Sequence, residues 1–456
     1  MKSMKKRNVR ALALLLVLSM LFSLAGCGSA PAQTDVPASS AADATPSDPS
    51  ADILPTKPAP GTVKAGSLIE GIAPEAVEGR EADEAFTASQ YRFAADLLRR
   101  SYAADGGNCL VSPLSVVLAL AMTANGAANE TLSQMLSVIG NGLGIDDLNA
   151  YLYQYVKNLP SSEKAKLAIA NSIWLNDRED FSVRDEFLKK DASWYGASVY
   201  KLPFGPSAVK EVNGWVAKNT DGMIEKIIEQ LNKEDRMLLI NAICFDAKWE
   251  DPYTEDAVHD ASFTRTDGSE DQVRMMYSSE YDYYAGEGYT GFAKYYEGRG
   301  YKFVGILPDK KIGLDQFVAG LDEAKLSAIL GNVSHTKVIG GLPKFSYDYS
   351  ASLAERLKDM GMVNAFVDDM TRPDFADFSL ISDTNPLYVS DVIHKTFIEV
   401  SEGGTRAAAV TAVVVAETTA VQAPPKTVVL DRPFLYMIVD TATDLPIFIG
   451  TVNSVD

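Results

Sequence analysis

Three histidines (His259, His335, His394) and three cysteines (Cys27, Cys109, Cys244) are the chain's whole supply of imidazole and thiol. None stands at metal-ligand spacing, and neither His-Glu-x-x-His nor Cys-x-x-Cys occurs, so no metal and no other cofactor is expected. Cys109 and Cys244 lie in apolar runs, which reads as two buried free thiols, with a disulfide between them as the alternative. Acyl-transfer chemistry would need Ser112 or Ser115 beside His394. The chain has no Gly-x-Ser-x-Gly elbow, and Ser112-Pro113 reads better as a helix cap with proline in the first turn. Gly286-Glu287-Gly288-Tyr289-Thr290-Gly291 has the letters of a dinucleotide loop, but Tyr-rich strand-like sequence surrounds it and no helix follows. The acidic pair Asp368-Asp369 reads as solvated surface. The expectation is a protein that is not an enzyme.

A different kind of chemistry is written near the C-terminus. Glu402-Gly403-Gly404-Thr405-Arg406 leads into Ala407-Ala408-Ala409-Val410-Thr411-Ala412-Val413-Val414-Val415-Ala416, ten uncharged residues, small at first and then β-branched. Such a run favours a strand, and left exposed and unpaired it invites aggregation. As a strand it puts Thr405, Ala407, Ala409, Thr411, Val413 and Val415 on one face and Arg406 on the other. The slim Ala and Thr side chains suit entry between strands already packed, where Leu or Phe would be too large.

The elements that must hold this segment follow from periodicity. Tyr91, Ala94, Ala95 and Leu98 repeat at helical spacing within 88–104, and a second helix runs from Ser112 to Gly126. Further helical patterns fall near 129–138, 146–158, 183–193, 208–231, 314–330 and 350–360. Between them lie Val-, Ile-, Phe- and Tyr-rich strand runs: Leu167–Leu175, Met237–Trp249, Lys302–Leu307, Val389–Val400, Phe434–Val439 and Ile447–Val452. There is no fixed repeat, and strands far apart in sequence must pair. The fold class is α+β.

The N-terminus reads as an address. Lys2, Lys5, Lys6, Arg7 and Arg10 precede an apolar run, Ala11–Leu24, too short for a spanning helix, and Leu24-Ala25-Gly26-Cys27 follows. Residues 1–26 are expected to be a lipoprotein-type signal, with Cys27 the lipidated residue. Residues 27–81 carry no aromatic side chain and most of their length is Ala, Ser, Thr, Asp and Pro, so they read as a disordered tether. The folded domain is then 82–456, on the outer face of a cell membrane or secreted. Net charge is −19, and becomes −24 once the five basic residues of the signal are removed. A body that acidic repels phosphate backbones and anionic lipid, so nucleic acid is excluded as a partner and the membrane is reached only through the lipid.

Several stretches resemble the serpins, a family of serine protease inhibitors. They include Asn108–Ser115, Val212–Thr220, Leu239–Trp249, Leu342-Pro343-Lys344-Phe345, Gly361-Met362 with Ala365-Phe366, and Asp431-Arg432-Pro433-Phe434. Val392-Ile393-His394-Lys395, followed by Glu402 and the Gly-Thr-x-Ala-Ala-Ala hinge, is the most specific. The resemblance implies a domain of three β-sheets and about nine helices, monomeric, with an exposed reactive loop. It implies a hinge of Glu402, Gly404, Thr405, Ala407, Ala408, Ala409 and Thr411. Glu402 would be the last fixed residue, with Gly403-Gly404 letting the chain fold over. Ser112, Ser115, Asn241 and His394 match the family's shutter, and Trp249 its point of loop entry. The family's spacing of sixteen residues from Glu402 puts the scissile bond at Thr418–Thr419, within a range of 417–421. Arg406 and Gly403 depart from the family pattern, which commonly has an acidic and a bulkier residue there.

In the mechanism implied by the resemblance, a protease cuts the loop, remains bound as an acyl-enzyme, and is carried along as the loop enters the main sheet. Thr, Ala and Val near the bond, with no Lys or Arg between Arg406 and Lys426, suit elastase-like or subtilisin-like enzymes. The alternatives are a non-inhibitory serpin acting as binder or decoy substrate, and a solute-binding lipoprotein.

Overall fold

The computed structural model describes residues 66–178, 181–383, 386–406 and 424–455. Cys27, Ala407, Ala408, Ala409, Thr411, Thr418 and Thr419, together with the expected signal and most of the expected tether, lie outside the described residues.

The first half of the chain runs β1 (Gly66–Ser67), α1 (Glu84–Asp105), β2 (Cys109–Val111), α2 (Pro113–Ala124), α3 (Asn129–Ile139), α4 (Ile145–Asn158), β3 (Ala165–Asn176), α5 (Asp185–Tyr195), β4 (Ser198–Leu202) and α6 (Pro206–Asn219). It continues through β5 (Met237–Lys248), β6 (Val258–Thr264), β7 (Glu270–Gly286), β8 (Tyr289–Tyr295), β9 (Tyr301–Pro308), α7 (Gly313–Ala319) and α8 (Glu323–Gly331). The last part is β10 (Val333–Pro343), β11 (Phe345–Ser352), α9 (Ala354–Asp359), β12 (Val389–Ser401), β13 (Gly404–Thr405), β14 (Lys426–Val429), β15 (Phe434–Asp440) and β16 (Pro446–Val452). The described residues thus hold nine α-helices, in line with the expected fold.

Seven strands form one sheet in the order β1-β4-β3-β5-β13-β12-β11. Its middle strands are covered on both sides. Odd-numbered residues of β5, such as Leu239 and Ile243, enter the main core, while Leu238, Ile240, Ala242 and Cys244 join a second cluster with Trp215 and Val216 of α6. Burial on both faces explains why β5 reads as an unbroken apolar run. The other nine strands are hydrogen-bonded into one continuous sheet that branches at β7. The first part of β7 pairs with β6, its last with β8, and β10 lies along most of it, so the order β14-β10-β7-β8-β9-β15-β16-β2 is hydrogen-bonded throughout. Helix α2 is apolar all round and buried along its whole length, packed against β3 and β5 of one sheet and β16 of the other.

Four sequence expectations need correction. Residues 66–81, expected to belong to a disordered tether, are ordered: from Gly66 the chain lies on the body. Here β1 pairs with the edge strand β4, and Leu68, Ile69 and Ile72 pack on the core. The helix read over 208–231 stops at Asn219, because Asp221 (φ 50°) and Gly222 (φ 75°) turn the chain, and Asn213 then holds the backbone of Ile227 and Ile228. The pattern at 314–330 is two helices, the second restarted by Asp322 accepting from the Lys325 N–H. That at 350–360 holds the end of β11 before the short helix α9 begins. The glycine-rich 286–291 segment is the β7–β8 hairpin, its turn made by Gly288 at φ 80°. Both Cys109 and Cys244 are buried and free, their thiols pushed up to about 12 by burial, so the disulfide alternative falls.

Candidate functional site

In the seven-stranded sheet β3 and β5 are antiparallel, whereas β5 and β12 run parallel over Met237–Ile243. Register brings Asn171, Asn241 and His394 side by side on three adjacent strands. Helix α2 begins against that rung. Ser112 caps it by accepting the Ser115 N–H, and the Ser112 N–H donates to His394 Nε2 at 3.2 Å. With Nε2 accepting, Nδ1 carries the proton and donates to Asn241 Oδ1 at 2.5 Å. The Asn241 amide donates onward to Asn171 Oδ1 at 2.8 Å and to Ser115 Oγ, and Ser115 Oγ donates to Asn171 at 3.2 Å. All five residues are buried, and burial pushes the His394 imidazole down to about 3. Both ring nitrogens are engaged and no solvent reaches them, so the cluster is a neutral clamp across the sheet and offers no base to a substrate.

Four of these residues were picked out in the sequence, and the structure brings them together. Asn171 was not. Its only signal is a polar Asn-Ser pair inside the apolar run Ala-Ile-Ala-Asn-Ser-Ile-Trp.

Above the rung, β5 and β12 separate, and the chain after β12 turns back between them. Glu402 and Gly403 make the turn: the Gly403 carbonyl accepts from the Trp249 N–H at 3.0 Å and that of Glu402 from the Tyr253 N–H at 3.0 Å. Gly404 and Thr405 then form β13, antiparallel to both neighbours, Thr405 opposite Ala247 on β5 and Val400 on β12. Glu402 is therefore not the last fixed residue; the described chain holds its place through Arg406. Gly404 is required by contact as well as by its φ of 153°, since a Cβ there would lie 2.1 Å from the Ala247 carbonyl oxygen.

Thr405 faces inward, as its alternation demands. It is 1 % exposed, and its hydroxyl is 2.6 Å from the Tyr296 hydroxyl. The Tyr296 ring stacks on Trp249 at 4.4 Å, and Trp249 Nε1 donates to the Ser401 carbonyl at 2.9 Å. Lys294 is buried beneath these rings, 4.4 Å from the Tyr253 centroid, with its charge met by Glu280 at 2.9 Å. Lys344 binds Glu402 at 2.9 Å; burial works against that carboxylate, but the hydrogen bond and the cation outweigh it, and its pKa lies below the usual range. Tyr296 and Lys294 have no sequence signature of their own, because their partners lie 109 residues away or on another strand; Lys344 stands in the Leu342–Phe345 stretch, but its pairing with Glu402, 58 residues on, was not legible.

Arg406 follows β13, its N–H donating to the Glu399 carbonyl at 2.7 Å and its charge reaching Cys244 and Asp246 of the face opposite Thr405. Burial raises the Asp246 carboxyl, and the Arg406 cation opposes the rise. The basic departure from the family pattern thus acts on the Asp246 carboxylate. At φ 58° Arg406 turns the chain out of the strand direction.

A family model described as Serpin (serine protease inhibitor) matches residues 88–455. An uncharacterised serpin-like protein of Thermococcus kodakarensis is 31% identical over 362 residues, covering 77% of this chain and 82% of the relative. Among solved structures, the thermophilic serpin tengpin in its native state is similar with a TM-score of 0.81 and 44% identity, over 86% of this chain and 100% of that one. The same protein in its latent state gives 0.72 and 42%, over 83% and 100%. With its seven-stranded sheet, its polar clamp and its returning hinge, this chain belongs to the serpin family of serine protease inhibitors.

Proposed function

We propose that this serpin is a lipid-tethered suicide inhibitor, which traps elastase-like or subtilisin-like serine proteases by taking its own cleaved loop into the seven-stranded sheet. The observation that carries this reading is the register of β13. Gly404 pairs with Lys248 and Thr405 with Ala247 on one side, while Val400 pairs with Thr405 on the other. Continued at the same step, residue 411 falls opposite both Asn241 and His394, residue 415 opposite Met237 at the foot of β5, and residue 416 opposite Val389 at the foot of β12. The uncharged run ends at Ala416 and Glu417 follows, so the apolar stretch has the length of the slot.

Both faces of such a strand would be enclosed, odd residues by the main core and even residues by the cluster beneath α6. That accounts for slim apolar side chains at every position, where one covered face would need only alternate ones. Thr411 would bring a hydroxyl to the polar rung at the place where separating the strands breaks the bond between His394 and Asn241. Insertion also replaces one parallel ladder by two antiparallel ones, which are more numerous and slightly stronger per residue. The basic and apolar leader with Cys27 supports tethering, and the residues at 417–421 support the protease class.

The test is to mix the chain with an elastase-like protease. The expected product is a covalent adduct that survives boiling in detergent, with the cut at Thr418–Thr419 or a neighbouring bond. Thr405→Arg must drive a charge into the core, and its adduct yield is expected to fall at least tenfold while cleavage continues. Wild-type chain that is merely cut, leaving active protease, contradicts the reading.

A further inference from the structure

Between Arg406 and Lys426 the chain carries a single charged residue, Glu417. A segment that must enter a sheet covered on both faces has reason to exclude charge, so the place of this one matters. Continued in the register that β13 begins, residue 416 reaches Val389 at the foot of β12, and residue 417 falls opposite Asp235 on one side and Tyr388 on the other. Glu417 is thus the first residue past the foot of the slot, beside the turn that leads into β5.

That turn is pinned from two sides. The Asn176 amide donates to the carbonyls of Lys233 at 2.9 Å and Asp235 at 2.7 Å, and the Arg236 N–H donates to Ser390 Oγ at 2.8 Å. Two guanidiniums converge on it. Arg178, just past β3, donates to the Lys233 carbonyl at 2.7 Å. Arg236 donates to the Glu234 carbonyl at 2.8 Å, which the Tyr388 hydroxyl also reaches at 3.2 Å. Among the described residues neither arginine has a carboxylate at ion-pair distance; both bond to backbone carbonyls. Their charges repel instead. Burial first and the Arg178 cation second push the Arg236 guanidinium below its ordinary pKa, against smaller opposing effects of Tyr388 and the Glu234 carboxylate. The Asp235 carboxylate is engaged within the turn, accepting the Asn232 N–H at 3.0 Å.

A guanidinium offers several donors in a planar fork, and one carbonyl takes only one of them, so both arginines keep donors for a carboxylate. On a chain of net charge −19, two neighbouring arginines without an acid mark a seat for an anion that arrives from elsewhere in the chain. Adjacent strands lie about 4.8 Å apart and consecutive Cα atoms 3.8 Å. A residue opposite Asp235 is therefore within reach of the Arg236 side chain.

We infer that Arg178 and Arg236 form the seat of the Glu417 carboxylate once the loop lies in the sheet, latching the residue next to the cut bond at the foot of the slot. The inference rests on the proposed insertion, but it needs no trapped protease. It accounts for an acidic residue standing where the uncharged run ends.

The test uses full-length chain, intact and nicked by an elastase-like protease, and reads the rate of unfolding in concentrated urea, which leaves charges unscreened. Glu417→Gln and Arg236→Gln are each expected to speed unfolding of the nicked chain about threefold or more, and to leave the intact chain within about twofold. Arg178→Gln is expected to act in the same direction. The double variant Glu417→Gln with Arg236→Gln should unfold no faster than the faster single one, and the exchange Arg236→Glu with Glu417→Arg should recover most of the loss. Single effects that multiply in the double variant overturn the inference. So does an Arg236→Gln effect of equal size on intact and nicked chains, which makes Arg236 a brace of the turn alone. Faster loss of protease from the adduct, with the nicked chain unchanged, assigns the seat to the enzyme and overturns it too. Nicked wild type that unfolds no more slowly than intact chain has not inserted its loop, and both the insertion and the latch then fall. If the nicked chain is slow and the coupling stands but no adduct forms, the latch holds and the trapping reading fails.

Discussion

His394 shows at single-residue scale how function and stability are joined. Its imidazole is neutral because burial holds it near 3, whereas in an unfolded chain it titrates near 6.5. Between those values the unfolded chain binds the extra proton, so this group's contribution is complete above about pH 6.5 and is lost as pH falls toward 3. The full loss is on the order of 5 kcal/mol at ~1.4 kcal/mol per pH unit. Stability measured by urea denaturation is expected to fall between pH 7 and pH 5 in the wild type, and His394→Gln is expected to flatten that slope; equal slopes would contradict the role. Ser112, Ser115, Asn241, His394 and Trp249 were legible in the sequence through the motifs around them. Asn171 and Tyr296 were not, because one polar residue in an apolar strand has no period, and its partner is chosen by strand register. Arg406, a departure from the family pattern, was expected on the face away from Thr405, and its cation acts there on the Asp246 carboxyl.

Elements were legible where burial imposes a period, and less so where turns decide. The six strand runs named from composition are all strands, since β3, β5, β9, β15 and β16 are largely buried apolar segments and β12 alternates buried with partly exposed residues. The end of α6 was missed because left-handed Asp221 and Gly222 stop a helix whose apolar spacing continues. The segment 66–81 was missed for the opposite reason. It lacks aromatics and reads as tether, yet Leu68, Ile69 and Ile72 fit the core beside β4, and β1 covers an otherwise open sheet edge. Chains beginning at residue 66 and at residue 82 separate the two boundaries. The shorter is expected to be less stable by roughly 2–4 kcal/mol, about 1 kcal/mol for each half-buried aliphatic side chain plus the lost edge pairing. Equal denaturation midpoints would return these residues to the tether.

At the scale of the whole molecule, the decisive feature is a seam. The strands β5 and β12 pair in parallel at their feet, part at their heads, and hold two hinge residues between them. The polar rung closes the seam below, and Trp249 with Tyr296 shapes its mouth. The architecture followed from sequence because the family motifs are spread over 108–434; that Gly404 and Thr405 already occupy the mouth did not, because it depends on how far two strands diverge. In this account cleavage frees the loop to continue down the seam in the register that β13 begins. Hydrogen exchange of the backbone amides of 407–416, compared before and after the loop is cut, tests that claim most directly. The account predicts that exchange of these amides slows by orders of magnitude once the chain is nicked, as they become a central strand. Amides that still exchange at the rate of a free peptide in the nicked chain would contradict it.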